Sequence, residues 1–306
     1  MITNLDSQSQ LFLADMNRVQ QRLADSERQL TSGKKVSVAS DAPDVVSQLL
    51  RLRSALQKNT QIGTNLSVAQ TTVNVSDTAL ASSIQLLDRA LTIGAQGASD
   101  TQSATSRLGL AADVQAVQEQ MISFSRTQSG GIYVFSGDQE SLPSYQLNLA
   151  NDNGVDRLLT TSATHAVENP AGGSFPQSMT AQDIFDHRNL DDSLASDNVF
   201  AALNNLRLGL ENNDAARINS AVGSLKQAAD HLNICQSFYG SVENRIQDAT
   251  DFTNRYDVQL KTEISQKEDA DVAAASLEFS QGTVQLQAAF QMQGRIPRTT
   301  LFDYLT

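Results

Sequence analysis

The sequence predicts a mainly α protein: an elongated antiparallel coiled coil and helical bundle built from both chain ends, with a small β domain inserted between them. Three observations carry this. From Val242 the chain steps four and three residues alternately through Val242, Ile246, Ala249, Thr253, Tyr256, Leu260, Glu263, Lys267, Ala270, Ala274, Leu277, Gln281, Val284, Ala288 and Gln291, and ten of these fifteen positions are apolar. The same stepping from Ile2 gives Ile2, Leu5, Ser9, Phe12, Met16, Val19, Leu23, Ser26 and Leu30, seven of nine apolar. Between the helical runs, from Gly131 onward, the pattern becomes short, alternating and rich in turn residues.

At the N-terminus, Thr3 to Asp6 resembles a capping box, and Gly33 stands where a left-handed C-cap closes a helix. Lys34 to Ala42 is polar and reads as a loop. Asp41-Ala42-Pro43-Asp44 then opens a second helix with an Asp cap, a proline in the first turn and an acid at the positive end of the dipole. Val45, Leu49, Leu52 and Leu56, then Leu80, Ile84, Leu87 and Leu91, keep the helical stepping, with Gly94, Gly97 and Asp100 marking its end. Leu110, Val114, Val117, Met121 and Phe124 define a further helix that closes before Gly130-Gly131.

Ile132 to Phe135 is a strand signal, Tyr145, Leu147 and Leu149 alternate, Asn151 to Gly154 is a turn, and Leu158 to Thr164 returns as a second strand. Asn169 to Pro176 holds two prolines and two glycines and reads as loop. Helical pattern resumes at Asn198 with Val199, Leu203, Leu206 and Leu210, and again over Asp214 to Ser237. Phe238-Tyr239-Gly240 is expected to break or bend that helix. Ser241 to Gln293 then runs on as one rod of about seven heptads, roughly 75 Å long.

A rod of that kind needs a partner, and the N-terminal helix supplies one by antiparallel pairing. The expected assembly seam is Ile2, Leu5, Phe12, Met16, Val19, Leu23 and Leu30 against Leu277, Val284, Ala288 and neighbouring subunits. The expected divisions are a terminal coiled coil (1–42 and 266–306), a helical bundle (43–136 and 194–265) and a mostly β insertion (137–193).

Composition narrows the function. A net charge of −12 argues against nucleic acid or an anionic membrane surface as the main partner. No apolar run approaches the ~20 residues of a membrane span, and no secretory signal peptide stands at the N-terminus. Cys235 is the only cysteine, so an internal disulfide and a thiolate metal cluster are excluded, and it reads as a buried, inert thiol. Neither a dinucleotide fingerprint nor a P-loop occurs, and no serine lies in a nucleophile-elbow context. His165, His187 and His231 are scattered, and Glu268, Asp269 and Asp271 read as a solvated or interface face. The chain is therefore expected to be no enzyme, with no catalytic, cofactor-binding or metal site.

Both ends carry short motifs in order. Gln29-Leu30-Thr31-Ser32-Gly33-Lys34-Lys35-Val36 with Ser40-Asp41-Ala42-Pro43, then Gly240-Ser241-Val242-Glu243-Asn244-Arg245-Ile246, Lys267-Glu268-Asp269-Ala270-Asp271-Val272-Ala273 and Leu286-Gln287-Ala288-Ala289, resemble the terminal signatures of the flagellin family. Gly131-Ile132-Tyr133-Val134-Phe135-Ser136-Gly137 is similar to a motif of that family's hook–filament junction members, and Leu142-Pro143-Ser144-Tyr145 to their entry into the β domain. The resemblance implies a structural part of the bacterial flagellum, outside the cell, exported unfolded by the flagellar type III pathway without a cleaved signal. It implies self-association into a ring between hook-associated protein 1 and flagellin, an escorting export chaperone, and terminal helices that order on assembly. A short filament-forming flagellin, or a secreted effector or enzyme carried by the β insertion, are the alternative readings.

Overall fold

A computed structural model of the chain describes residues 7–38, 42–160 and 163–295. The order is α1 (Ser7–Ser32), α2 (Pro43–Gly97), α3 (Ala104–Ser125), β1 (Gln128–Ser129), β2 (Ile132–Tyr133), β3 (Tyr145–Leu147), β4 (Val155–Arg157), β5 (Ala166–Glu168), β6 (Ser174–Pro176), α4 (Ala181–Phe185), α5 (Val199–Glu211), α6 (Ala215–Glu268) and α7 (Val272–Arg295). The capping box expected at Thr3 to Asp6 and the cap expected at Asp41 lie outside the described residues.

The chain divides into two compact units. One comprises the residues up to Lys58 together with those from Tyr256 onward; the other is Asn59–Arg255. The sequence predicts boundaries at 42/43 and 265/266; the two compact units divide at 58/59 and 255/256, within α2 and α6, each of which is continuous over more than fifty residues. Gly63 and the Thr71 to Val75 run do not interrupt α2, since Ile62, Leu66, Ala69 and Val73 all bury on one face. Nor does Phe238-Tyr239-Gly240 break α6, contrary to expectation. Tyr239 is fully buried and its hydroxyl accepts a hydrogen bond from Met179 N at 3.1 Å. Val242, Ile246 and Ala249 continue the same buried stripe into the core, so packing overrides the glycine's low propensity.

In the Asn59–Arg255 unit, α2, α3, α5 and α6 enclose a core that includes Leu80, Leu87, Val117, Met121, Leu203 and Leu232. α2 stops at Gly97, where the buried Arg107 guanidinium donates to the carbonyls of Gly97 (2.8 Å) and Ser99 (3.1 Å). The Gly97 carbonyl, in the last turn, has no partner inside the helix, so α3 supplies one.

Among the described residues the strands form three antiparallel pairs, β1–β2, β3–β4 and β5–β6. Gly130 (φ +61) and Gly131 (φ +87) make the two-residue turn between β1 and β2 that a right-twisted hairpin requires. The returning strand expected over Leu158 to Thr164 lies earlier, at Val155–Arg157. The Asn151 to Gly154 turn is tight enough for Leu147 to pair Val155 directly. The segment expected to be loop, Asn169 to Pro176, ends in β6; Pro176 is tolerated there because a two-stranded ribbon needs no amide donor on its outer edge.

The β segment does not form a core of its own. Tyr145, Val155, Phe175 and Phe185 bury in the same cluster as Phe200 and Leu203 of α5. Phe185 meets Phe135 edge-on at 5.8 Å, and Tyr145 packs on Phe200 at 5.1 Å. Beneath them the fully buried Asp186 carboxylate accepts from Arg188 Nε (3.0 Å), Asn198 Nδ2 (2.8 Å), Asn153 Nδ2 (3.1 Å) and Tyr145 Oη (3.3 Å). Asn198 also caps α5, accepting from Ala201 N at 2.9 Å. Burial, with Asp186 beside it, raises the Tyr145 phenol and keeps it neutral.

Candidate functional site

In the unit that holds both ends of the chain, α1 and α7 pack on one another. Arg22 Nη2 donates to Gln285 Oε1 at 3.4 Å, and the backbones of Lys34, just after α1, and Asp269, just before α7, pair antiparallel, so the two helices run antiparallel as the sequence predicts. Gly282 faces Leu23 so closely that a Cβ there would lie 2.9 Å from Leu23 Cγ. Met16 and Ser26 of α1 and Ala275 and Gly282 of α7 are buried; Phe12, Val19, Leu23 and Leu30, with Phe279, Leu286 and Ala289, are half-buried.

The expected rod is two helices. α6 ends at Glu268 and α7 begins at Val272, and the three residues between them are held open by the turn after α1. Gly33 takes φ +69 and its amide donates to Gln29 O at 2.8 Å, the left-handed cap expected of it. Its carbonyl accepts from Ala270 N (3.0 Å), and Lys35 N donates to Glu268 O (2.7 Å). Asp271 then caps α7, accepting from Ala273 N and Ala274 N at 3.0 Å each.

Of the three acids expected on a solvated or interface face, Asp269 and Asp271 are exposed and Glu268 is turned into a contact with two other segments. It is 4% exposed, and its two carboxylate oxygens take Lys34 Nζ at 2.5 Å and Arg53 Nη2 at 2.6 Å. The Lys34 hydrogen bond, with Arg53 behind it, holds this carboxyl below its ordinary value.

The buried register of α7 is already present at the end of α6, where the buried Glu268 stands one heptad before Ala275. The stripe that turns toward α1 is Ala275, Phe279, Gly282, Leu286 and Ala289, displaced from the Leu277, Val284 and Ala288 stripe on which the expected seam was drawn. Leu277 and Val284 are 60% and 62% exposed, and Ala288 is exposed with them. Leu11 and Leu13 of α1 are exposed as well. Of the expected seam on α1, Phe12, Met16, Val19, Leu23 and Leu30 are at least half-buried, while Ile2 and Leu5 lie outside the described residues.

In the other unit, the Gly131 to Gly137 segment is structural at nearly every position. Phe135 is buried against Phe185 and Tyr239. Ser136 Oγ donates to Leu142 O (2.8 Å) and lies 2.9 Å from Ser144 Oγ, and Gly137 takes φ +60. Arg245, of the Asn244-Arg245 motif, stacks its guanidinium 4.4 Å from the Phe175 ring centroid. The motifs at positions 131–137 and 240–246 thus serve one joint between β segment and helices. Cys235 is buried, and burial, with Asp183 and Asp197 adding to it, pushes its thiol up to about 12, which keeps it unreactive at neutral pH. Two of the three histidines, which looked scattered in sequence, stack on each other: His187 and His231 lie 4.9 Å apart with their rings 6° from parallel.

Helices from both chain ends that pair antiparallel, with a β segment between, define the flagellin class of protein. The bacterial flagellin N-terminal helical region matches residues 3–140 and the flagellin C-terminal helical region matches residues 215–305. The chain belongs to the flagellin family. It is similar to the flagellar hook-associated protein 3 of Salmonella typhimurium, 22% identical over 287 residues that span 87% of this chain and 89% of that one. Its fold is that of a putative flagellar hook-associated protein from Vibrio parahaemolyticus (TM-score 0.64, 18% identity, 75% of this chain and 100% of that one). It is also that of flagellar hook-associated protein-3 from Legionella pneumophila (TM-score 0.60, 14% identity, 70% of this chain and 97% of that one). Among the described residues no helix is long and apolar enough to cross a membrane.

Proposed function

We propose that this chain is the hook–filament junction protein of a bacterial flagellum, with copies forming a ring between hook-associated protein 1 and the first turn of flagellin. The observation that carries this reading is that α7 bears two apolar stripes and α1 covers one of them. Leu277, Val284 and Ala288 are left facing outward, with Leu11 and Leu13 exposed on α1. Burying a side chain such as Leu277 or Val284 contributes about 1.5–3 kcal/mol, and a second copy of the chain offers the same stripe in return. The likeness to hook-associated protein 3 and the Gly131 to Gly137 segment support the junction role over that of a filament subunit. Export through the flagellar type III pathway, with a chaperone holding the terminal helices, goes with this role, as does a non-enzymatic, purely structural task.

The test is a full-length L277D/V284D variant produced in a bacterium lacking its junction protein. The purified variant is expected to match wild type in helix content, because neither side chain is buried in the single chain. Wild type is expected to restore filaments and the variant is not. Normal filaments from the variant would overturn the stripe as the interface. A copy number in sheared flagella comparable to that of flagellin, rather than one ring per hook, would favour the filament-subunit reading.

A further inference from the structure

We propose that His187, Asp197 and His231 form a binding site for a divalent transition-metal ion of the zinc class, clamping the segment between α4 and α5 onto α6. The inference is independent of the junction role. His187 lies just beyond α4, Asp197 stands next to the Asn198 cap of α5, and His231 projects from α6, so the three come together only in the folded unit. One donor atom from each lies within 4.8 Å of the others, and among the described residues this is the one such group. His187 Nδ1 is 2.8 Å from Asp197 Oδ1, and His231 Nδ1 is 3.6 Å from Asp197 Oδ2. Ligands bound to zinc at 2.0–2.1 Å in a tetrahedron stand about 3.3 Å from one another, so the 3.6 Å pair already suits the ion, and at the 2.8 Å pair the ion replaces the proton that His187 Nδ1 donates to Asp197 Oδ1.

The far side of His231 supplies the second argument. Its Nε2 is 2.7 Å from the carbonyl oxygen of Asp183. A carbonyl only accepts, so Nε2 carries the hydrogen, and the neutral ring then presents the Nδ1 lone pair toward the Asp197 carboxylate. An imidazole whose outer N–H is tied to a backbone carbonyl is the arrangement that fixes a metal-binding tautomer. A lone pair facing a carboxylate needs a positive centre between them. Protonating His231 would supply it, but it would set a cation against the His187 ring 4.9 Å away while leaving the His187 Nδ1 bound to the same carboxylate. A single divalent ion satisfies both nitrogens and the carboxylate together. Two imidazoles and one carboxylate suit zinc, cobalt or nickel rather than magnesium or calcium, which want oxygen ligands. The site is half-buried and opens on a cleft of about 330 Å³ lined by Ser196, Gln227, Asp230 and Ile234, with room for water as a fourth ligand. Cys235 Sγ contacts His231 from the Nε2 side, 3.6 Å away, and is not part of the donor set.

The test uses the full chain, freed of metal by a chelator and titrated calorimetrically with zinc chloride, and separately with magnesium chloride. One equivalent of zinc is expected to bind with a dissociation constant of about 1 μM or tighter, to raise the thermal transition, and to be matched by no magnesium binding. Cobalt chloride is expected to give the visible absorption of a tetrahedral site. H187A and H231A are expected to weaken zinc binding at least about tenfold and to abolish the cobalt spectrum, and H165A to change neither. Because H231A also removes the hydrogen bond to Asp183, D197N serves as the variant that keeps shape, with its fold checked by circular dichroism. The proposal is overturned if wild type shows no saturable one-to-one binding below about 100 μM zinc, or if H187A, H231A and D197N all bind as tightly as wild type.

Discussion

Arg53 donates from Nη2 to Oε2 of Glu268 at 2.6 Å, joining residues 215 apart in sequence. The other oxygen takes Lys34, so the carboxylate is buried while both cations keep roughly half their surface in water. That asymmetry matters energetically. The cations lose little solvation, so the pair escapes much of the desolvation cost that makes buried ion pairs poor stabilisers, and the exposed cations are screened in return. Removing the carboxylate strands no buried charge. E268A is therefore expected to cost about 1–3 kcal/mol, felt at the terminal unit alone. Hydrogen exchange of the Lys35 and Ala270 amides, which bond across this joint, measures it; unchanged protection there would refute the assignment.

The same group sets a pH dependence. Its folded carboxyl titrates below the ordinary glutamate value of about 4.3, because Lys34 and Arg53 favour the charged form. A depressed carboxyl stabilises the fold fully above the unfolded value, and this contribution disappears as pH falls through that value toward the folded one. Protection at Lys35 and Ala270 is expected to hold steady above about pH 5 and to decline below about 4.3. E268Q is expected to flatten that decline. An equal decline in both proteins would assign it to other carboxylates.

Gly282 is the close-approach point of the α1–α7 pair. G282A gains helix propensity, about 1 kcal/mol, but its methyl must displace Leu23, whose Cγ stands 2.9 Å away. Overpacking of this kind costs about 1–3 kcal/mol, so the net expectation is a modest loss. Combining it with L23A is expected to recover the propensity gain, which a double-mutant cycle on thermal stability detects as non-additivity.

Asp186 holds the β segment in place. D186A is expected to cost about 1–3 kcal/mol, since it strands the buried Asn153 amide and strips one partner each from Arg188, which keeps Asp192 at 3.6 Å, and Asn198, which keeps the His187 carbonyl at 2.9 Å. Chemical denaturation of the full chain checks this; a loss under about 1 kcal/mol would mean that water substitutes for the carboxylate.

The helical periodicities of α1, α3 and α5, the Gly33 cap and the antiparallel pairing of the two chain ends were legible in the residues, because each depends on patterns a few positions long. The Val242, Ile246, Ala249, Thr253 and Leu260 stripe was legible for the same reason, and all five are buried. The Glu268 cluster was not, since a buried glutamate between two lysine- and arginine-bearing segments looks in sequence like any other acid on a helix. Nor was the His187–Asp197–His231 group, whose members are brought together by folding alone. The small strands were displaced by a few residues because two-stranded ribbons are pinned by their turns more than by their composition.

What the sequence by itself determined is that both ends are helices with apolar stripes and that they pair, since burying such stripes is favourable in almost any arrangement. Which stripe of α7 faces α1 was decided only in the folded molecule. Three residues at the α6–α7 junction are held out of helix by hydrogen bonds to Gly33 and Lys35, at the other end of the chain. Along α7 the close approach of α1 then selects the face: Gly282, with no side chain, turns inward against Leu23, and Leu277 and Val284 turn out.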